Sequence, residues 1–154
     1  AQKDVRDSIR NVEALLGTEA EKLGVLLRFD MPGQALAVLA DQVEMEQVLH
    51  NLIKNAFEAL QGQADGAVTV TVTVTKGNAV LDIVDNGPGI DIALRPDLFT
   101  PFMTTRQNGT GLGLALCQRL IERAGGEIFY QGADNGAHFR IVLPLSSQQR
   151  EAAK

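Results

Sequence analysis

Residues 68–90 read VTVTVTVTKGNAVLDIVDNGPGI, and this stretch decides the fold class. Strict alternation of β-branched residues over 68–75 predicts a strand with one buried face. Residues 76–78, Lys-Gly-Asn, predict a turn, and the apolar run 79–84 predicts the second strand of a hairpin. The turn residues of 85–89 then end that strand. The stretch therefore predicts a hairpin whose second strand ends in an acidic residue and a glycine-rich turn.

Helical spacing of apolar residues flanks this hairpin on both sides. The first pattern runs from Val5 to Leu23 and ends at Gly24. Asp41 and Glu44 match a capping box ahead of a second helix over 43–60. A third helix is predicted over 112–124, with the glycine pair 125–126 as its stop.

Further strands are predicted around these helices. The apolar runs 25–29 and 36–39 lie on either side of a Met-Pro-Gly turn, which predicts a strand pair. Residues 127–131 and 137–143 predict a final hairpin. Because helices and strands do not alternate strictly, the order favours an α+β two-layer sandwich over a doubly wound parallel sheet. We expect one domain over 1–145, followed by a polar tail over 146–154.

Composition excludes several classes of function. The net charge of -5, from 14 Lys+Arg against 19 Asp+Glu, gives no basic surface for nucleic acid. No apolar run reaches the roughly 20 residues that span a bilayer, so we expect no membrane contact by this domain. The single cysteine, Cys117, lies in an apolar helical pattern and is interpreted as a core residue in a reducing cytoplasm. The chain opens inside a helical pattern, so we expect a fragment of a longer parent that could be membrane-bound.

A polar stripe follows one face of the second helix. Its members recur at steps of three and four residues: Glu44, Gln47, Asn51, Asn55 and Glu58. A solvated helix face explains such a stripe by itself. Two asparagines inside a helix are unusual, because the amide competes for backbone hydrogen bonds. A neutral amide oxygen that faces a cavity can hold Mg²⁺, which is usually shared with phosphates.

Two glycine-rich segments carry further candidate chemistry. The Asp85 carboxylate could accept a hydrogen bond from the amine of adenine, and glycines let the backbone lie against a ring. The alternative is a simple turn. Residues 109–113, GTGLG, lead into a helix whose free N-H groups and dipole favour phosphates. The spacing is neither the Rossmann fingerprint nor a P-loop.

Taken together and in order, these segments resemble the N, G1, F and G2 boxes of sensor histidine kinases. The boxes are Asn51/Asn55, DNGPGI (85–90), LFTPFMTTR (98–106) and GTGLGLALCQRLIERAGG (109–126). The superfamily also holds type II topoisomerase, heat-shock chaperone and mismatch-repair ATPases. The resemblance implies the Bergerat fold, a mixed and mostly antiparallel sheet backed by helices, with a flexible ATP lid over about 90–109.

The same resemblance assigns residue roles. It implies that Asn55 ligates Mg²⁺, that Asn51 lies beside the triphosphate as a catalytic residue, and that Asp85 holds the adenine amine. Arg106 matches a basic residue that reaches the γ-phosphate in the nitrogen-regulation and dicarboxylate-sensing branch. The remaining nucleotide-binding positions are Gly87, Gly89, Thr105, Gly109, Thr110, Gly111, Leu112 and Gly113.

Departures from the family pattern bear on mechanism. Asn51 stands where the ATP-hydrolysing relatives carry a general-base Glu, and an amide cannot take a proton from water. Glu58 stands where several kinase branches carry a phosphate-contacting Lys, so we interpret it as a surface residue. Neither His50 nor His138 lies in an acceptor box, and both are interpreted as structural. The phosphorylated histidine is therefore expected outside this chain.

The expected function follows from these positions. The chain is expected to bind Mg-ATP and to donate the γ-phosphate to a histidine on a dimerisation domain, with a response regulator as an indirect partner. The alternatives are an ATP-hydrolysing relative, a serine/threonine kinase of the anti-sigma type, and a non-catalytic nucleotide-binding interaction module. Asn51 favours phosphoryl transfer over hydrolysis.

Overall fold

The computed structural model describes residues 3–100, 113–132 and 136–146. Its helices and strands follow one another in this order: β1 (Lys3–Asp4), α1 (Val5–Leu23), β2 (Leu26–Asp30), β3 (Ala37–Val38), α2 (Gln42–Ala59), β4 (Ala67–Thr75), β5 (Asn78–Asp85), a 3₁₀ helix (Ile92–Asp97), α3 (Gly113–Arg123), β6 (Glu127–Tyr130) and β7 (His138–Pro144).

The helix ends carry the caps that the sequence predicts. Asp41 caps α2 by accepting a hydrogen bond of 3.0 Å from the Glu44 N-H. Gly24 ends α1 in the left-handed conformation, with φ of 70°. The expectation that the chain opens inside a helix is wrong. Lys3 and Asp4 form β1, which pairs with β3, and Asp4 caps α1 from outside.

A five-stranded sheet has the order β2-β4-β5-β7-β6. β2 and β4 are parallel, and the other neighbours are antiparallel. The hairpins β4/β5 and β6/β7 confirm the predicted pairs. The predicted pair between 25–29 and 36–39 is wrong, because β2 joins β4 through a crossover that contains α2, while β3 joins β1. A parallel pair needs such a crossover, and this one lays α2 on the sheet.

The core lies between the sheet and the helices. Residues of β4, β5 and β7 alternate between buried and half-buried. The inward residues pack with the apolar faces of α1, α2 and α3, and the most buried large side chains include Ile9, Leu49, Leu52, Leu81, Ile121 and Ile141. This confirms a mixed, mostly antiparallel sheet backed by helices, an α+β two-layer sandwich. The other face of the sheet carries polar side chains such as Asp82 and Arg140.

Candidate functional site

A cavity of about 410 Å³ opens between α2, the end of β5 and the start of α3. This volume falls in the range of about 300–1,000 Å³ that is typical of small-molecule sites. Its lining mixes an apolar wall with a few polar groups: Leu52, Asn55, Ala56, Glu58, Ala59, Ile83, Asp85, Pro88, Gly89, Ile90, Asp91, Leu94, Leu98, Gly113, Leu114, Ala137 and Phe139. The structure thus brings together four of the residues that the sequence singled out, Asn55, Asp85, Gly89 and Gly113.

Asp85 supplies the buried polar group of the cavity. Its exposed fraction is 6%. Oδ1 accepts hydrogen bonds from the backbone N-H of Gly87 at 2.9 Å and of Ala137 at 3.2 Å. Burial raises the pKa of Asp85, and these two bonds oppose the rise. Within the described ranges no hydrogen bond ends on Oδ2, so this oxygen can accept one from a ligand.

Glycines allow the backbone to cross closely beside Asp85. Gly136 has φ of 116°, and a Cβ there would lie 1.9 Å from the Asp85 carbonyl oxygen. Gly89 has φ of 78°, and a Cβ there would lie 2.9 Å from the Gly136 carbonyl oxygen. At Gly87 a Cβ would lie 3.1 Å from Asp85 Oδ1. Gly87 and Gly89 were expected to shape the pocket, whereas Gly136 was missed because its close contact is with a segment 51 residues away in sequence.

The two asparagines of α2 take different positions. Asn55 is half-buried and lines the cavity. Asn51 is half-buried too, but it is not among the lining residues in the described part of the chain. Its Oδ1 lies 3.7 Å from the position of a Cβ on Gly113, and its side chain is hydrogen-bonded to Cys117. Asn51 therefore lies beside the start of α3.

Cys117 is the core residue that the sequence predicts. It is fully buried, and its Sγ lies 3.8 Å from the Val48 carbonyl oxygen. Burial raises the pKa of the thiol to about 12, against the hydrogen bond from Asn51, which lowers it. A thiol with that pKa stays protonated at neutral pH.

The N-terminal end of α3 faces the cavity. Gly113 and Leu114 both line it, and α3 begins at Gly113 within the described residues. The first N-H groups of a helix have no partner inside the helix and attract anions. The other expected phosphate-side residues lie outside the described residues: Thr105, Arg106, Gly109, Thr110, Gly111 and Leu112.

The sequence did not indicate the apolar wall of the cavity. Segment 88–98 contributes Ile90, Leu94 and Leu98 to it, and β7 contributes Phe139. Phe99 packs edge-on against Phe139, with 6.3 Å between ring centres, so this member of the F box anchors the segment to the core. Ile92, Leu94 and Leu98 are apolar residues at irregular helical spacing, which is a weak sequence signal for this wall.

The remaining candidate side chains take structural positions. His138 Nε2 lies 2.6 Å from Asp82 Oδ1 on the face of the sheet away from the cavity. His50 is half-buried on α2. Glu58 is exposed, as expected, yet it also borders the cavity. Among the described residues, no group of three or more His, Cys, Asp or Glu side chains is placed to hold a metal ion.

Comparison with known proteins identifies the family. A sequence model described as histidine kinase-, DNA gyrase B- and HSP90-like ATPase matches residues 40–147. The solved catalytic domain of the histidine kinase ThkA has the same fold, with a TM-score of 0.83, 32% identity and 94% of both chains covered. The chain therefore belongs to this ATPase family, and its fold is that of a histidine kinase catalytic domain.

The similar curated proteins are sensor kinases. The C4-dicarboxylate transport sensor protein DctB of Rhizobium meliloti is 39% identical over 76% of this chain and 19% of its own length. The sensory histidine kinase/phosphatase NtrB of Vibrio alginolyticus is 31% identical over 94% of this chain and 44% of its own length. The expected relation to nitrogen-regulation and dicarboxylate sensors is confirmed. The chain spans less than half the length of these relatives.

Two further findings concern a solved complex of a similar kinase and the helices of this chain. A second ThkA structure, in complex with the response regulator protein TrrA, matches with a TM-score of 0.77, 27% identity, and coverage of 97% of this chain and 42% of that one. A search of the helices in the described ranges finds none with the length and apolar character needed to cross a membrane.

Proposed function

We propose that this chain binds Mg-ATP in the cavity and donates the γ-phosphate to a histidine on a dimerisation domain of a longer protein. The observation that carries the proposal is the buried Asp85 carboxylate, which borders the cavity of a histidine kinase fold with one oxygen left for a ligand. In this account the domain acts in the cytoplasm, within two-component signal transduction.

The adenine ring would lie at the Asp85 end of the cavity. A carboxylate is an acceptor only, so it suits the exocyclic amine of adenine, which is a donor. Ile83, Ile90 and Phe139 supply apolar surface beside it, and Gly89 brings backbone close to the ring. These features support adenine over a base that presents an acceptor at the same position.

The phosphates would lie at the α3 end. Gly113 places helix N-H groups at the border of the cavity, and Asn55, which also lines the cavity, would supply an amide oxygen. Magnesium usually takes one or two protein oxygens, with phosphates and water as its other ligands. The residues present fit this pattern, and Mg²⁺ bound there would supply positive charge to the phosphates. Arg106 and residues 109–112 are proposed to complete the phosphate site.

Asn51 supports phosphoryl transfer over hydrolysis. An amide nitrogen does not accept a proton, so Asn51 cannot act as a general base toward water. Its side chain is hydrogen-bonded to Cys117 beside α3. The domain would then act by orientation and electrostatics, holding the γ-phosphate for in-line attack by the histidine. The similar kinase ThkA, solved with a response regulator, supports such a regulator as the next acceptor.

Nucleotide titration with matched variants tests the magnesium role. Asn55→Ala should weaken binding of ATP with Mg²⁺ about tenfold while changing its magnesium-free affinity little, since a lost hydrogen-bond or ligand interaction with charge is worth about 1.5–3 kcal/mol. Asn11→Ala, on the exposed Asn11–Glu46 contact, is the control. Equal weakening with and without Mg²⁺ would refute the magnesium assignment.

Product analysis tests the transfer itself. This chain, joined to the dimerisation domain of its parent, should form acid-labile phosphate from ATP and release phosphate slowly. Steady phosphate release from the chain alone would favour the ATP-hydrolysing alternative, and acid-stable phosphate on a partner would favour a serine/threonine kinase. Failure to form any phosphoprotein while ATP binds would favour a non-catalytic interaction module.

The domain limits are proposals of the same kind. We infer a catalytic domain over 1–145, a polar tail over 146–154 and an ATP lid over about 90–109. ATP should protect the lid from proteolysis, because a bound nucleotide favours the ordered conformation that it contacts. Cleavage sites within 90–109 that are unchanged by saturating Mg-ATP would contradict the lid assignment.

A further inference from the structure

Two side chains, one from the adjacent 3₁₀ helix and one from the distant strand β6, hold the peptide groups of Ile90 in the cavity wall. The Ile90 N-H donates to the Tyr130 hydroxyl at 3.3 Å. Arg95 Nε donates to the Ile90 carbonyl oxygen at 3.0 Å. The Arg95 guanidinium carbon lies 5.1 Å from the centre of the Tyr130 ring, a cation-π distance. The three residues thus form a closed ring of contacts, which we call the Ile90 clasp.

The clasp is fixed to the core on its far side. The Tyr130 ring packs edge-on against Phe139, with 5.1 Å between ring centres, and Phe139 lines the cavity. A Cβ on Gly132 would lie 3.3 Å from Arg95 Nη1, so the backbone passes closely under the guanidinium. Tyr130, on β6, therefore links this wall of the cavity to the core.

Ile90 itself lies in none of the helices or strands given above. Segment 88–91 precedes the 3₁₀ helix and follows β5, and among the described residues both Ile90 peptide groups are hydrogen-bonded to the side chains of Tyr130 and Arg95. Without the clasp, Ile90 could leave the cavity, and only part of the population would have a complete wall. The apparent dissociation constant is inversely proportional to that competent fraction.

We propose that Arg95 and Tyr130 are positioning residues that set the adenine side of the nucleotide pocket through Ile90. The inference rests on the proposed function, because it concerns the same cavity. The clasp acts on the wall beside Asp85 and not on the phosphate end. Every adenine nucleotide should therefore depend on it equally, whatever its number of phosphates.

Calorimetric titration of ADP and ATP, each with Mg²⁺, tests the proposal in Tyr130→Phe and Arg95→Ala. Each variant should raise both dissociation constants by a common factor of about three to ten, the usual effect of losing one hydrogen bond or cation-π contact. The double variant should fall short of the product of the two factors, because either loss alone releases Ile90. Hydrogen exchange at the Ile90 amide should be faster in Tyr130→Phe.

Arg140→Ala is the matched control, since Arg140 pairs with Asp82 on the opposite face of the sheet. Its dissociation constants should equal those of the unmodified chain. Urea unfolding of each variant ensures that affinities refer to folded protein.

Three results would overturn the inference. The dissociation constants could be unchanged in both variants, the loss of affinity could be confined to ATP, or the dissociation constants could rise equally in the Arg140→Ala control. If the unmodified chain bound neither nucleotide, the proposed function would fail and the inference with it. If the unmodified chain binds ADP, and neither Arg95→Ala nor Tyr130→Phe changes the dissociation constant, only the inference is refuted and the proposed function stands.

Discussion

Two aspartates on β5, three residues apart, have opposite surroundings. Asp82 lies on the outer face of the sheet, where Oδ1 is 2.6 Å from His138 Nε2 and 2.7 Å from Arg140 Nε. Burial alone would raise its pKa, but the hydrogen bonds from Arg140 and His138 hold the pKa below the ordinary value. Asp85 lies on the inner face, has backbone N-H partners and has its pKa raised by burial.

The difference separates a structural carboxylate from one that is available to a ligand. Asp82 has the Arg140 guanidinium and the His138 ring as side-chain partners, which satisfy it within the protein. Asp85 has no cationic partner in the described part of the chain, yet it is more buried and borders the cavity. A buried acid with a shifted pKa in a cleft is typical of a functional site.

The largest expected effect is at the glycine that crosses Asp85. Gly136→Ala would place a Cβ 1.9 Å from the Asp85 carbonyl oxygen, at a φ of 116°. We expect a loss of about 3 kcal/mol or more in the free energy of unfolding. Urea unfolding measures it, with Gly33→Ala as the control because nothing lies near its Cβ position. A loss equal to that of the control would show that the backbone crossing is absent in solution.

The next effect concerns nucleotide binding by the two aspartates. Asp85→Asn replaces an acceptor oxygen by an amide of the same shape, so ATP affinity should fall about 10- to 100-fold, the value of a hydrogen bond to a charged group. Asp82→Asn should leave the affinity unchanged. Titration calorimetry measures both. Equal losses in the two variants would remove the functional distinction between the two faces.

The two aspartates should change the free energy of unfolding in opposite directions as the pH rises. The raised pKa of Asp85 means that its stabilising effect is fully present below the ordinary 3.8 and is lost as pH rises through the raised value. Asp85→Asn should therefore gain stability relative to the unmodified chain as pH rises from 3.8 through the raised pKa of Asp85. The lowered pKa of Asp82 gives a stabilising effect that is present above pH 3.8 and is lost as the pH falls through the lowered pKa.

Urea unfolding at several pH values measures these differences. Asp82→Asn should be less stable than the unmodified chain at neutral pH, and this deficit should disappear only as pH falls through the lowered pKa. If both variants gained stability relative to the unmodified chain as the pH was raised, the environments assigned to Asp82 and Asp85 would be contradicted.

The smallest effect is expected at Arg140. Arg140→Gln removes a charge partner that is 40% exposed, so the free energy of unfolding should fall by about 0.2–1 kcal/mol, as is usual for surface ion pairs. The loss should shrink at high salt. An unfolding series at low and high salt checks it, and a salt-independent loss would point to packing and not to charge.

Much of the fold could be predicted because its signals are local. The alternation over 68–75 fixes both the hairpin and the buried face, and Asp41, Glu44 and Gly24 mark helix ends within a few residues of themselves. The pairing of β2 and β3 could not be predicted. A short apolar run indicates a strand, but the partner of that strand depends on where α2 lies.

The site divides in the same way. Asp85, Asn55 and Gly113, which line the cavity, could be singled out because a family pattern marks them. Gly136 and the Tyr130 contact of the Ile90 clasp were missed, since they join residues 51 and 40 positions apart in sequence. The contact between Asn51 and Cys117 likewise required the packing of α2 on α3.

Base selectivity tests the central claim most directly. The chain is titrated with ATP and with GTP, each with Mg²⁺, and the titrations are repeated with Asp85→Asn. Guanine carries an acceptor oxygen where adenine carries its amine, so it should meet the Asp85 carboxylate unfavourably. We expect ATP to bind at least about tenfold more tightly than GTP, and Asp85→Asn to narrow that ratio. Equal affinity for the two nucleotides, or a ratio unchanged by Asp85→Asn, would contradict an adenine site at Asp85.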